Sequence, residues 1–127
     1  MSYDVRGDIL GFPNTRNIEI IEIDPLFSTM KDLDDENISF TLVNPHLLRE
    51  YSIEIPNAIK VLLDITNDSN LSVYNILVIQ KPLEKSTINF LAPIIINNDN
   101  NKLAQTVIDP KKHSEFGMAE TIESFRK

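Results

Sequence analysis

The two histidines, His46 and His113, stand far apart and match no metal-ligand spacing such as H-E-x-x-H. The chain has no cysteine, so no thiolate can complete a metal site or act as a nucleophile. His46 follows Pro45 in an expected turn and His113 lies in a basic run with Lys111 and Lys112, so neither needs a chemical role. Glycine occurs only at positions 7, 11 and 117, which leaves no phosphate-cradling loop. Adjacent carboxylates at Asp34 and Asp35 could share a proton, and a small hydrolase is imaginable from them. They fall in the most polar stretch of the chain, with no apolar cleft to shift their pKa values. Asn97, Asn98, Asn100 and Asn101 could read sugar hydroxyls, but there is no Trp platform, and turn geometry explains them as well. No catalytic residue, metal ligand, cofactor or small-molecule substrate is expected.

What remains is charge. Twelve basic and nineteen acidic residues give a net charge of −7, the wrong sign for wrapping a phosphate backbone, so no direct nucleic-acid binding is expected. The stretch from Glu19 to Glu36 holds seven acids (Glu19, Glu22, Asp24, Asp32, Asp34, Asp35, Glu36) and one base, Lys31. Two readings stand side by side: solvated strand edges and a turn, or a docking face for a basic partner. No signal-type h-region follows Met1, and no apolar run is long enough to span a membrane, so a cytoplasmic protein is expected.

These residues must be held by strands. Ile38, Phe40 and Leu42 alternate with Ser39, Thr41 and Val43, the period of a half-buried strand. In Ile18 to Asp24 the apolar phase changes between Ile20 and Ile21, which predicts a bulge. Leu71 to Gln80 is apolar on both faces and should be central or covered on both sides. Thr87 to Asn97 and Leu103 to Asp109 flank the polar run Asn98 to Lys102 and read as a hairpin, with Pro93 at an edge, a bulge or a bend. Pro56-Asn57 could start a short helix with Ala58, Ile59, Leu62 and Ile65 on one face, or so short an apolar run could be a buried strand. Ser114 caps a predicted tail helix with Met118, Ala119, Ile122 and Phe125 along one stripe, weakened by Gly117.

The expected fold is mainly β: a small antiparallel β-barrel or sandwich-like single domain over residues 1–127, with one or two short helices including a C-terminal amphipathic one. Ile38, Phe40, Leu42, Val73, Leu77, Phe90 and Ile94 are its predicted core.

Several blocks resemble the flagellar assembly factor FliW family. The most specific is Thr87-Ile88-Asn89-Phe90-Leu91-Ala92-Pro93-Ile94-Ile95-Ile96-Asn97 with the returning arm Gln105-Thr106-Val107-Ile108. It is similar to that family's "TxNLxAPIxIN" strand and "QVVL" arm. Gly11-Phe12, Pro25-Leu26-Phe27, Asp32-Leu33-Asp34 and Phe40-Thr41-Leu42-Val43-Asn44-Pro45 look like further family blocks, in the family's order. Phe90 stands where the family usually has Leu, Asn44 where it often has Asp, and no family motif is visible from Pro110 onward.

The resemblance implies a protein with two protein partners, flagellin and the RNA-binding regulator CsrA, that relieves repression of flagellin translation until new flagellin draws it away. An acidic protein docked beside a basic RNA-binding surface would also repel phosphates. A dedicated flagellin export chaperone without CsrA binding is the nearest alternative. The expected partner-binding residues are Asp32, Asp34, Asp35 and Glu36, presented together by a hairpin turn. Phe12, Phe27 and Leu33 are candidates for an apolar groove that receives a helix.

Overall fold

The alternation around Phe40 predicts one inward face, and a computed structural model describing residues 2–125 shows that face turned into a closed barrel. The described residues form nine strands: β1 (Ser2–Val5), β2 (Asn17–Glu22), β3 (Phe27–Asp32), β4 (Ser39–Val43), β5 (Leu71–Val78), β6 (Thr87–Ile88), β7 (Ile94–Asn97), β8 (Lys102–Gln105) and β9 (Glu120–Thr121). Hydrogen bonding runs in the order β4-β3-β2-β1-β8-β7-β5, and β5 pairs back to β4, so these seven strands form a ring. Closure removes the open edges that a flat sheet would leave. Every pairing is antiparallel except β1 with β8, which is parallel.

Alternate residues fill the interior: Val5, Ile18, Met30, Leu42, Ile94, Ile96 and Leu103 are buried there, together with Ile9 from the loop between β1 and β2. The outside is coated on one side only. Val43, Tyr51, Leu77, Ile88, Phe90, Leu91 and the tail residues Phe116 and Ile122 form one outer cluster. Helix α1 (Asn57–Leu62) and its flanks form another, with Leu63 buried against Ile95 and Ala104. The central strand β5 therefore buries Val73 and Leu77 under the coat and Tyr74 and Ile76 toward the interior, as its two-sided apolar pattern requires. Of the seven predicted core residues, Leu42, Leu77, Phe90 and Ile94 are buried and Ile38, Phe40 and Val73 half-buried.

Four expectations are corrected. β2 has no bulge: it pairs with β3 without a break from Ile18↔Asp32 to Glu22↔Ser28. Ile21 and Ile23 instead face outward, 42% and 64% exposed, because no coat covers this side of the barrel. The Thr87–Asn97 arm is two strands, β6 and β7, since the chain turns at Asn89 to Pro93 and drops the buried Phe90 between them. Its hairpin with β8 forms as expected, with Asn101 in the left-handed region at φ 57°. Helix α1 forms, yet Leu63 just beyond it is its anchor, while Ala58 and Leu62 are exposed.

The predicted tail amphipathic helix is absent from residues 114–125, which follow turns, the short strand β9 and a 3-10 turn over Ile122–Phe125. Here helix propensity yields to tertiary contact. Phe116, Ile122 and Phe125 reach the Phe90 cluster by this path, and Met118, assigned to the helical stripe, is exposed. Arg126 and Lys127 lie outside the described residues.

The asparagine turn is consumed by structure. Asn97 and Asn100 both donate from Nδ2 to the Leu63 carbonyl, at 2.9 and 3.0 Å, while Asn97 Oδ1 accepts the Asp99 N–H at 3.0 Å. Asn98 Nδ2 donates to Ser72 Oγ. The turn thereby pins α1 to the barrel, which leaves a sugar site without a motive. Asn97→Ala should cost about 1–2 kcal/mol of unfolding free energy, because the Leu63 carbonyl keeps only its Asn100 donor and the Asp99 N–H loses its acceptor. Urea unfolding measures it, and a change within error would mean that the amide is dispensable.

Candidate partner-binding surface

The acidic stretch is divided by the fold. Asp32 is buried: its Oδ2 accepts the Thr15 hydroxyl at 2.9 Å and its Oδ1 the Asp34 N–H at 2.8 Å. This corrects its expected place in an exposed cluster, for it shapes the turn from within. Asp24 caps the turn at the other end of β3, its Oδ1 accepting the N–H groups of Leu26 and Phe27. Glu22 lies close enough to Tyr74 to help hold that phenol above its ordinary pKa, after burial as the main cause and Tyr3 as the second. Glu19 is half-buried on β2, across from Lys31.

The β3–β4 hairpin turn is what remains as an acidic surface. The Asp32 N–H donates to the Ile38 carbonyl and the Ile38 N–H to the Asp35 carbonyl, which closes the turn. Asp34, Asp35 and Glu36 are exposed on it, as expected. Asp34 accepts from Asn17 Nδ2 at 3.1 Å and Asp35 caps the Asn37 N–H at 3.0 Å, so two of the three carboxylates are held in place. Leu33, 51% exposed, begins the turn. Beside it a shallow cleft of about 490 Å³ runs over β1 to the Asn100–Asn101 turn, with Tyr3, Asp4 and Asp34 along its sides. Arg6 pairs with Asp4 at 2.7 Å there. The carboxylates of Asp34 and Asp35 are open to water, so the motive for a hydrolase is gone.

The apolar candidates are not gathered into one groove. Phe12 sits in the β1–β2 loop, its ring edge-on to Phe40 at 4.8 Å between centroids. Phe27 lies at the far end of β3 from Leu33 and packs half-buried against the coat cluster. Sequence reasoning missed Ile21 and Ile23; the phase change between Ile20 and Ile21 was their signal, and it marked outward isoleucines instead of a bulge.

The FliW protein family's sequence model matches residues 2–120. The chain belongs to the FliW family. Flagellar assembly factor FliW 2 of Wolinella succinogenes is 49% identical over 125 residues, covering 98% of this chain and 92% of that protein. The flagellar assembly factor FliW of Sulfurimonas denitrificans is 45% identical over 127 residues, covering 100% and 99%. A crystal structure of the flagellar assembly factor FliW superimposes with a TM-score of 0.85 at 20% identity, over 95% of this chain and 84% of that one, a likeness of fold. The chain is thus a FliW-type flagellar assembly factor built on a β-barrel. No helix among the described residues is long and apolar enough to cross a membrane.

Proposed function

We propose that this FliW-family chain works by protein binding alone, engaging flagellin and the translational regulator CsrA in the cytoplasm and so coupling flagellin synthesis to assembly. The observation that carries the CsrA half is the Leu33–Glu36 turn, where three exposed carboxylates stand beside an exposed leucine in a chain of net charge −7. Such a turn attracts a basic RNA-binding protein and, once docked, repels the phosphates that protein would otherwise hold. Flagellin is met by apolar contact, for which Leu33 and Phe12 offer exposed side chains and Ile21 and Ile23 add an uncoated strand face. Phe27, half-buried, contributes through packing.

Association rates test this. Replacing Asp34, Asp35 and Glu36 by Asn, Asn and Gln should slow CsrA association by about tenfold and leave folding unchanged, because rim charges act on encounter. Raising salt from about 0.05 to 0.5 M should do the same to the wild type through screening. Flagellin association should resist both. Equal CsrA rates in all conditions would reduce the turn to a solvated loop, and flagellin binding with no CsrA binding at all would make the chain an export chaperone.

A further inference from the structure

One arginine anchors the tail at the centre of its contact with the barrel, and Lys85 pairs with Glu123 at 2.8 Å near its end. Arg49 lies mostly buried with its guanidinium 5.1, 4.7 and 5.7 Å from the ring centres of Phe90, Phe116 and Phe125, within cation–π reach of all three. Its Nη1 donates to both oxygens of Glu120, at 3.2 and 3.1 Å, and its Nη2 to the Glu115 carbonyl. Its Nε is buried and has no hydrogen-bond partner among the described residues. Backbone bonds complete the contact: the Phe90 N–H donates to the Gly117 carbonyl, the Ile122 N–H donates to the Ser86 carbonyl, and β9 adds two residues to the edge of β6.

The tail therefore behaves as a docked peptide. It extends a sheet edge, presents a carboxylate to a buried cation, and lays Ile122 and Phe125 on Ile88, Phe90 and their neighbours. Arg49 meets the carboxylate at Nη1 alone, with the Gly117 N–H donating to Glu120 Oε2 at 2.8 Å, whereas a side-on fork would use Nε. The unmet Nε is a donor that a better placed carboxylate would take, and leaving such a donor unmet is costly. The family match ends at residue 120, just before Ile122 and Phe125 complete the cover.

We propose that the groove along β6 and over Phe90 is a peptide-binding site, occupied in the free protein by its own tail. Its other occupant is an extended partner segment bearing one carboxylate followed by apolar side chains, at least one of them aromatic. Such a segment adds a strand to β6, forks onto Arg49 through Nε, and displaces residues 117–125. Because the tail is tethered, a competitor faces an effective concentration of roughly millimolar. The site is then selective for segments that use Nε, which the tail does not.

The probe is a fluorescent peptide with the sequence of residues Gly117 to Phe125, added to the full chain. In a variant whose tail contacts are weakened, Glu120→Gln with Ile122→Ser and Phe125→Ser, the peptide should bind at least about tenfold more tightly than to the wild type, whose tail competes. Adding Arg49→Met to that variant, or Glu120→Gln to the peptide, should weaken binding by about tenfold or more. Equal binding to both proteins, no binding to the variant up to about 1 mM, or indifference to Arg49→Met would each overturn the proposal. If the variant does not fold, hydrogen exchange of the wild type decides. The Phe90 and Ile122 amides should exchange together, at least about a hundredfold faster than the β3 amides, through a tail opening below the global one. Equal protection would mean that the tail never leaves.

Discussion

Phe90→Ala should lower the unfolding free energy by about 3–5 kcal/mol, the cost of emptying a large buried site that can collapse only in part. The ring is fully buried and stands 5.6 Å from the Tyr51 ring, 6.2 Å from Phe116 and 5.6 Å from Phe125, centre to centre. It also gives the Arg49 cation one of its three faces. Since a domain of this size is stable by roughly 5–15 kcal/mol, one truncation would consume a large fraction of the total. The comparison is Phe12→Ala, whose ring is partly exposed and touches Phe40 edge-on, expected at about 1 kcal/mol. Urea unfolding of both variants tests the pair. Equal losses would show that the coat cluster is looser than its burial implies.

The second large effect is an alkaline loss of stability through Tyr51. Burial pushes its phenol up to about 12, against smaller opposing effects of the Asn75 hydrogen bond and the Arg49 charge. The hydroxyl donates to the Phe90 carbonyl and accepts from Asn75 Nδ2 at 3.3 Å, so ionisation would forfeit the first of these bonds inside the coat. The folded chain keeps the proton where the unfolded chain, near pH 10, has lost it. Stability from this group is full below pH 10 and falls as the pH rises toward about 12. The loss is about 2–3 kcal/mol, at 1.36 kcal/mol per pH unit. Tyr74, also raised, acts with the same sign. Unfolding free energies at pH 9, 10, 11 and 12 should trace this fall, and Tyr51→Phe should flatten it. A flat wild-type profile would show that the phenol is solvated.

Much of the barrel was legible because strand alternation and turn chemistry are local. Phe40 and Leu42 face inward, β5 is covered on both sides, and Asn98 to Asn101 form a turn, each for reasons visible within ten residues of sequence. Two of the misreadings share one cause, a partner distant along the chain. Asp32 looked like one acid among four until Thr15, seventeen residues earlier, reached it. The tail looked helical until Arg49 drew Glu120 to it across 71 residues. Ile21 was assigned a bulge because an apolar residue on an outer strand face invites a burial that the one-sided coat does not provide. Of the candidate partner residues, Leu33, Asp34, Asp35 and Glu36 stand together on the turn. Phe12 falls in the β1–β2 loop and Phe27 at the opposite end of β3 from Leu33, because an extended strand carries its first and last residues far apart.

The parallel pairing of β1 with β8 has a consequence in time. Val5 waits for Leu103 before the ring can close, and nothing between them substitutes for that seam. At about 5–20 residues per second, synthesis delivers β8 roughly 5–20 s after β1. During that interval β1 can pair with β2 alone, and its other edge is open to strands of other chains. The apolar interior seals only at the end, when the last barrel strand arrives. The barrel thus stays open until β8 has been synthesised, and slow elongation before Leu103 would lengthen the exposure of its interior to aggregation.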